Sequence, residues 1–127
     1  ANSRLTLATL AGHRVGLVAG HQYPELGAWL LTEKVSREDS VSESVNVQRV
    51  LRGWVDATVV GTHTLEYLSR SEPGLRDQLY TAEPAVYVFQ RHFLVPAAYS
   101  QLLPALNRAI AGLAQDAKWQ ARLALYR

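Results

Sequence analysis

The 127-residue sequence predicts an α/β protein, a three-layer sandwich around a mainly parallel sheet. Two runs of β-forming residues, 13–20 and 56–61, are each followed by a segment with helical spacing of apolar residues. Both runs are nearly continuous in apolar residues, a pattern typical of strands covered on two faces. Because strand–helix–strand crossovers are right-handed, consecutive strands of this kind lie parallel.

Composition limits the classes of function. With 48% hydrophobic residues, the chain is long enough for one buried core and resembles an ordinary globular domain. Its 13 basic and 11 acidic residues are scattered, without the basic stripe that a nucleic-acid backbone requires. The lack of cysteine excludes disulfides and thiolate metal sites. No apolar run approaches the roughly 20 residues of a membrane span, and the first residues show no signal-peptide pattern.

The first half of the chain reads as strand, helix, strand. After the strand at 13–20, Pro24 suits the first turn of a helix, where its missing N–H costs nothing. Glu25 favours the same helix end through the helix dipole. We predict this helix over residues 25–35. The polar stretch that follows is predicted to be a loop, with a short strand near residues 40–45.

A second strand–helix pair follows. Asn46 is predicted to be the N-cap of the next helix and Gly53 to end it. After the strand at 56–61, a third helix starts, and either Thr62 or Thr64 caps it.

The last third of the chain changes character. Residues 71–79 predict a turn with a short helical tail. Residues 85–93 are rich in β-branched and aromatic residues and predict the last strong strand. From Ser100 onward, alanines and regularly spaced apolar residues predict two consecutive helices.

The turns after the strands are the predicted ligand site. In an open α/β sheet, ligands bind outside the carboxyl ends of the strands, where loops enter helices. The N–H groups at a helix start there suit a carboxylate or another anion. Two such loops lie at residues 20–23 and 61–64. The predicted ligand-binding residues are Gly20, His21, Gln22, Tyr23, Gly61, Thr62 and His63.

Several of these residues allow a second interpretation. His21 and His63 either contact a ligand or are solvated loop histidines, and Tyr23 either stacks on a solute or makes an apolar contact at the helix start. Asp56 is predicted to be a structural turn or capping residue. The histidines show no metal-ligand spacing, so no metal site is predicted. The tryptophans, predicted to lie in the core, are Trp29, Trp54 and Trp119.

Four segments in order resemble one protein family. The segment "LATLAGHRVGLVAGHQYPEL" resembles a segment of the type II periplasmic solute-binding proteins, the extracytoplasmic receptors of amino-acid ABC transporters. The segment "VQRVLRGWVDATVVGTHTLEYL" resembles the family's next helix and strand, and "EPAVYVFQRHF" resembles its return strand. The segment "LLPALNRAIAGLAQDAKWQARLALYR" resembles its closing helices.

The resemblance implies a role for each part of the chain. Such receptors hold a solute between two α/β lobes. This chain resembles their C-terminal portion, with residues 1–84 as lobe two and residues 85–127 as the return strand and closing helices that pack on lobe one. The implied partners are a small polar solute and the membrane permease of a transporter, in the periplasm or another extracytoplasmic compartment. No cofactor is implied. Without lobe one, uncovered apolar surface predicts a homodimer.

The family's ligand-contact positions are only partly matched in this chain. The loop matching Gly20 offers backbone N–H groups and a small hydroxyl to a ligand carboxylate, and here His21 and Gln22 take the hydroxyl positions. Amino-acid receptors often place an aspartate for the ligand's ammonium where this chain has Gly61. This departure weakens the expectation of an α-amino-acid ligand while leaving solute binding in place.

Two alternatives share the same fold. One is the ligand-sensing domain of a membrane signalling protein. The other is an enzyme that uses a cleft carboxylate, for which Glu25 or Glu83 is the candidate. The sequence contains no GxSxG, GxGxxG or P-loop motif, so no catalytic residue is predicted and the chain is not expected to be an enzyme.

Overall fold

A computed structural model describes residues 7–30 and 34–126 of the chain. The chain divides into two compact units, Ala1–Tyr87 (unit 1) and Val88–Arg127 (unit 2). Within the described residues, no helix is both long enough and apolar enough to cross a membrane.

Unit 1 is a small parallel sheet with helices. The strands lie in the order β2-β1-β3, and Val15 of β1 is in register with Arg37 on one side and Ala57 on the other. The α/β class predicted from the sequence is thereby confirmed. The elements of unit 1 are a 3-10 helix at Leu7–Leu10, β1 (Arg14–Val18), α1 (Pro24–Leu30), β2 (Ser36–Ser40), α2 (Glu43–Leu51), β3 (Ala57–Thr58), α3 (Thr62–Ser71) and a 3-10 turn at Arg76–Gln78.

The core of unit 1 is built on alternate residues of β1. Val15 and Leu17 point to one face of the sheet and are buried with Leu26 of α1 and with Val35. A second apolar cluster joins α2 and α3 through Val47, Leu65 and Leu75. Because successive side chains of a strand point to opposite faces, Val15 and Leu17 lie on the same face of the sheet, and they share their buried cluster with Leu26 of α1.

Gly16 lies between these residues on the opposite side of β1, where α2 packs closely. A Cβ atom on Gly16 would lie 2.7 Å from Oδ1 of Asn46 and 3.1 Å from Cγ2 of Val55. Only a glycine fits this contact without movement of its neighbours. Asn46 is fully buried, its Oδ1 accepts a hydrogen bond from Nη1 of Arg49 at 3.1 Å, and its Nδ2 has no hydrogen-bond partner among the residues that the structure describes.

The start of α2 differs from the prediction. Ser42, not Asn46, is the N-cap, and its Oγ accepts a hydrogen bond from the N–H of Val45 at 3.2 Å. The helix begins earlier because Ser42 satisfies an N–H at the first turn, which leaves Asn46 inside the helix and buried. The predicted role of Gly53 is confirmed, since it follows α2 with φ +68 and its N–H donates to Val50.

Strand β2 corrects two expectations. Residues 36–40 form this strand, whereas the sequence predicted a loop there and a strand near 40–45. The segment pairs along its length with β1, so backbone hydrogen bonds override its poor strand propensity. The predicted helix over residues 25–35 is also too long at its end: Val35 lies outside the helix and is buried beside β2, while residues 31–33 lie outside the described part.

Strand β3 and helix α3 lie where the sequence predicted them, but the length of the strand and the cap of the helix differ from the prediction. The strand predicted over residues 56–61 pairs with β1 only at Ala57 and Thr58. Neither Thr62 nor Thr64 is the cap of α3; Gly61 is, and no side chain caps the helix there.

Unit 2 is helical and has no buried residue in its described part. The two helices predicted after Ser100 are confirmed as α4 (Leu103–Gly112) and α5 (Ala117–Leu123). Three 3-10 segments flank them, at Ala97–Leu102, Leu113–Gln115 and Ala124–Tyr126. The strand predicted over residues 85–93 is wrong, because these residues pair with no strand of the described chain and strand propensity alone does not hold an isolated strand.

The tryptophans also differ from the prediction. Trp54 is 57% exposed and stacks under the guanidinium of Arg52, and Trp119 is 41% exposed. The side chain of Trp29 lies outside the described part. Neither of the two described tryptophans is a core residue.

Candidate functional site at the carboxyl edge of the sheet

The two predicted ligand loops lie at one edge of the sheet. Because β1, β2 and β3 are parallel, their carboxyl ends share that edge, and central β1 places its loop between those that follow β2 and β3. The loop after β1 is residues 20–23, and α2 and α3 begin directly after the other two strands. The topology therefore brings together the residues that the sequence placed at strand ends.

The loop after β1 turns at a glycine. Gly20 has φ +75, a left-handed conformation that favours glycine, and the N–H of His21 donates to the carbonyl of Val18 at 3.1 Å. The side chains of His21 and Gln22 are exposed. Both are therefore available to a molecule in solution.

Tyr23 has a different role from the one predicted. Its side chain is 6% exposed within the core of unit 1, and its hydroxyl oxygen accepts a hydrogen bond from the N–H of Val18 at 3.1 Å. A ring held in the core cannot stack on a solute at the edge. The burial corrects the predicted cleft position of Tyr23 and supports its alternative role as an apolar contact at the helix start.

Arg37 of β2 fastens this loop to the sheet. Its Nη2 donates to the carbonyl of His21 at 3.2 Å and to that of Val18 at 3.4 Å, and its Nε donates to Oδ1 of Asp39 at 2.7 Å. The guanidinium also lies 5.8 Å from the centre of the Tyr23 ring. The loop is thus held from both β1 and β2. Sequence reasoning missed Arg37 because the polar stretch around it was predicted to be a loop, whereas it forms strand β2.

The loops after β2 and β3 bring a carboxylate to the same edge. A Cβ atom on Gly61 would lie 3.6 Å from Oε2 of Glu43 and 3.6 Å from Oγ1 of Thr64, both ordinary contact distances. Glu43 is half-buried, and its carboxylate has no hydrogen bond or ion pair with any described residue. Sequence reasoning missed Glu43 because it placed the start of α2 after this residue.

The remaining predicted residues open α3. Gly61, Thr62 and His63 are all exposed. Nδ1 of His63 lies 3.2 Å from Oε2 of Glu66, one turn further along the helix, so this histidine is directed partly along the helix surface.

The opposite, amino edge of the sheet carries an ion pair with a structural role. Oδ2 of Asp56 accepts the backbone N–H of Arg14 at 2.7 Å, while Oδ1 accepts from Nη2 of the same residue at 3.0 Å. The hydrogen bonds from the Arg14 side chain, followed by that from its backbone, lower the pKa of Asp56 from 3.8 to about 2. Asp56 therefore connects β1 to β3, in agreement with its predicted structural role.

Two surface depressions lie away from the predicted residues. One, of about 360 Å³, lies on α2 beside Arg52 and Trp54, and the other, of about 240 Å³, lies within unit 2 between residues 91 and 110. None of the seven predicted residues lines either depression. We favour the sheet edge because three separate loops carry polar residues there, whereas the depression on α2 has mainly the side chains of one helix.

Glu25 and Glu83, the carboxylates considered for an enzyme, are both exposed. Within residues 7–30 and 34–126, no three histidine or acidic side chains are grouped so that they could hold a metal ion.

No protein-family model, curated protein or solved structure matches this chain. The resemblance to solute-binding proteins therefore depends on the four sequence segments alone.

Proposed function

We propose that this chain is a solute-binding module of the type II periplasmic kind, in which the carboxyl edge of the sheet in unit 1 holds a small polar solute. In this proposal unit 1 is lobe two, a three-layer sandwich, and unit 2 supplies the closing helices. The module works outside the cytoplasm and delivers its solute to a membrane permease.

One observation carries the proposal: the three parallel strands end at one edge in polar loops, and the central loop is fixed there by Arg37. A fixed loop costs little entropy when a ligand binds, which favours affinity for a small molecule. Leu26 of α1 shares a buried cluster with Val15, and Asn46 of α2 lies against Gly16 on the opposite face of the sheet, which supports the three-layer arrangement.

Glu43 bears on the class of solute. Amino-acid receptors, as described above, often carry an aspartate where this chain has Gly61. The carboxylate of Glu43 lies within contact distance of that position, so a negative charge is available although the aspartate is absent. An ammonium group on the solute would be attracted to this carboxylate, which is unpaired among the described residues. A zwitterionic solute, such as an amino acid, therefore stays within the proposal.

The test is a search for solute binding by the intact 127-residue chain. A panel of amino acids, amines and small carboxylates is screened by thermal melting, because a ligand that binds only the folded state raises the melting temperature. The best solute is then titrated by calorimetry. If no solute in the panel raises the melting temperature or releases heat, the proposal is wrong for these classes.

Two variants and two matched controls locate the site. We expect His21→Ala and Thr62→Ala each to weaken binding about fivefold, since each removes one hydrogen bond to the solute. The controls are His13→Ala, an exposed histidine at the amino edge, and Thr81→Ala, an exposed threonine in a connecting segment. Equal affinity of all four variants would exclude the carboxyl edge as the site.

A third variant tests the charge. Glu43→Gln keeps the shape of the side chain and removes its charge, so we expect it to weaken binding of solutes with an ammonium group and to spare those without one. Loss of both kinds of solute alike would show that Glu43 acts through structure and not through charge.

A further inference from the structure

Unit 2 contains a cavity of about 240 Å³ between two parts of its own chain. One wall is residues 91–95, which precede the 3-10 helix at Ala97–Leu102, and the other wall is one face of α4. Leu103, Leu106 and Ile110 have the spacing i, i+3 and i+7, which places all three on one side of this helix. Because unit 2 has no buried residue in its described part, this apolar face lines an open space and not a packed core.

The wall formed by residues 91–95 adds two more apolar side chains. Phe93 and Val95 line the same cavity, and Phe93 is 77% exposed although it is a large apolar residue. An apolar group that enters the cavity removes such surface from water, which is worth about fourfold in affinity for each buried methylene. The volume is below the roughly 300–1,000 Å³ of sites for drug-sized ligands. The cavity therefore suits a short aliphatic chain or a single ring.

The cavity also has polar side chains that bind anions. Arg91, His92 and Asn107 line it, and none of these side chains makes a hydrogen bond or an ion pair with the residues that the structure describes. The guanidinium of Arg91 lies over the Phe89 ring, 5.3 Å from its centre. This contact restrains the charged group, so less entropy is lost when a ligand binds to it. A stacked guanidinium keeps its N–H donors in its own plane, where they are able to reach a carboxylate.

The charge of unit 2 selects an anion. Residues 88–127 contain five basic residues and one acidic residue. The acidic residue, Asp116, does not line the cavity and caps α5 instead. Arg91 thus brings one full positive charge to the cavity, which a single carboxylate neutralises. The imidazole of His92 and the amide of Asn107 have N–H groups for the remaining lone pairs of that carboxylate.

We propose that this cavity is a second binding site, which takes a monocarboxylate with a short apolar tail, such as hexanoate. The carboxylate pairs with Arg91, and the tail lies against the apolar face of α4. A ligand held in this way contacts both walls and supplies the apolar layer that α4 lacks, so it also stabilises unit 2. The site belongs to unit 2 alone and does not depend on solute binding at the carboxyl edge of the sheet in unit 1.

The first experiment titrates the full chain, isotope-labelled, with hexanoate and follows the backbone amide signals by NMR. We expect shifts in residues 91–95 and in α4, with a dissociation constant at least about tenfold lower than that of acetate, which has the charge without the tail. Hexylammonium has the tail with the opposite charge and is expected to cause no shift there. The amides of residues 20–23 and 61–64 report on the solute site separately, so the failure of one proposal is distinguishable from the failure of the other.

Two arginine variants test the charge. Arg91→Gln removes the charge that lines the cavity, whereas Arg108→Gln removes a charge from an exposed position of α4 outside it. We expect Arg91→Gln to weaken hexanoate binding about tenfold, as the loss of a charge-assisted hydrogen bond does, and Arg108→Gln to weaken it less than about twofold. Equal effects would mean that hexanoate responds only to the net charge of unit 2 and would contradict the proposal.

Two leucine variants test the tail. Leu103→Ala shortens a side chain that lines the cavity, and Leu102→Ala shortens its neighbour, which does not. The two side chains are matched in exposure, at 41% and 48%. We expect Leu103→Ala to weaken hexanoate binding about threefold and Leu102→Ala to leave it nearly unchanged. Unchanged helical circular dichroism in each variant shows that α4 still forms.

Three further results would overturn the proposal. The first is a titration in which hexanoate shifts no amide of residues 91–95 or of α4. The second is a set of shifts that spreads over every exposed apolar side chain of unit 2, Leu125 included, which would mean non-specific adsorption. The third is an equal loss of affinity in Leu103→Ala and Leu102→Ala.

Discussion

The helices of unit 1 and unit 2 have the same spacing of apolar residues but differ in burial. In unit 1, Leu26 of α1 and Val47 of α2 are each 2% exposed. In unit 2, Leu103 and Ile110 of α4 are each 41% exposed. The difference lies in what the helices pack against, because unit 1 has a sheet and unit 2 has none among its described residues. Periodicity thus predicts a helix, while burial requires a second layer.

The largest expected effect on the free energy of unfolding comes from truncating one apolar side chain in each unit to alanine. Leu17 is fully buried in β1, so Leu17→Ala is expected to lower the free energy of unfolding by about 3 kcal/mol. Ile110→Ala is expected to lower it by less than about 1 kcal/mol, since the side chain is half exposed already. Urea unfolding of dilute protein gives both values. Equal losses would mean that unit 2 has a core in solution and would break the comparison.

The next effect concerns the close contact of α2 with β1. Gly16→Ala places a Cβ atom 2.7 Å from Oδ1 of Asn46, so the helix or the side chain must move. We expect the free energy of unfolding to fall by about 2 kcal/mol, as overpacking in a core does. Chemical denaturation measures the loss.

The double variant Gly16→Ala with Asn46→Ala is the control for this contact. Removal of the Asn46 amide leaves room for the added methyl group, so the double variant should lose at least about 0.5 kcal/mol less than the two single variants together. Strict additivity would show that Val55, the other close neighbour, or the backbone of β1 limits the space.

A smaller effect comes from the helix caps, which have the same chemistry in both units. Ser42 caps α2 through the N–H of Val45, and Asp116 caps α5 through the N–H of Trp119 at 2.7 Å. Ser42→Ala is expected to cost about 1 kcal/mol in the unfolding of unit 1. Asp116→Ala is expected to reduce the helical circular dichroism of α5 and to leave the main melting transition unchanged. A lower melting temperature in Asp116→Ala would show that the two units unfold together.

Local patterns predicted much of the fold. The apolar runs gave the positions of β1 and β3, Pro24 marked the start of α1, and Gly53 marked the end of α2. These features depend on residues close in sequence, so a single sequence contains the information. The alanine-rich end of the chain likewise predicted α4 and α5.

The features that were missed depend on residues far apart in sequence. Strand β2 is polar and is held by its pairing with β1, which no local pattern reveals. Residues 85–93 show the opposite case, because a strong local preference has no partner strand. At the candidate site, the order of strands and helices was enough to predict that the loops after β1 and β3 lie at the carboxyl edge of the sheet. Arg37 and Glu43 were missed because their roles depend on loops that meet only in the folded chain.

The smallest expected effect is the pH dependence of the ion pair at the amino edge. The pKa of Asp56 is about 2 in the folded chain and is expected near 3.8 when unfolded, so the folded state favours the charged form. Its stabilisation is present in full above pH 4 and is lost as the pH falls from about 4 to about 2. Asp56 and Arg14 are both about one-third exposed or more, so the loss is expected to stay below about 1 kcal/mol. Asp56→Asn should therefore be slightly less stable than the natural chain at pH 7 and equally stable near pH 2. A difference that persists at pH 2 would mean that Asp56 acts through the shape of its hydrogen bonds to Arg14 and not through its charge.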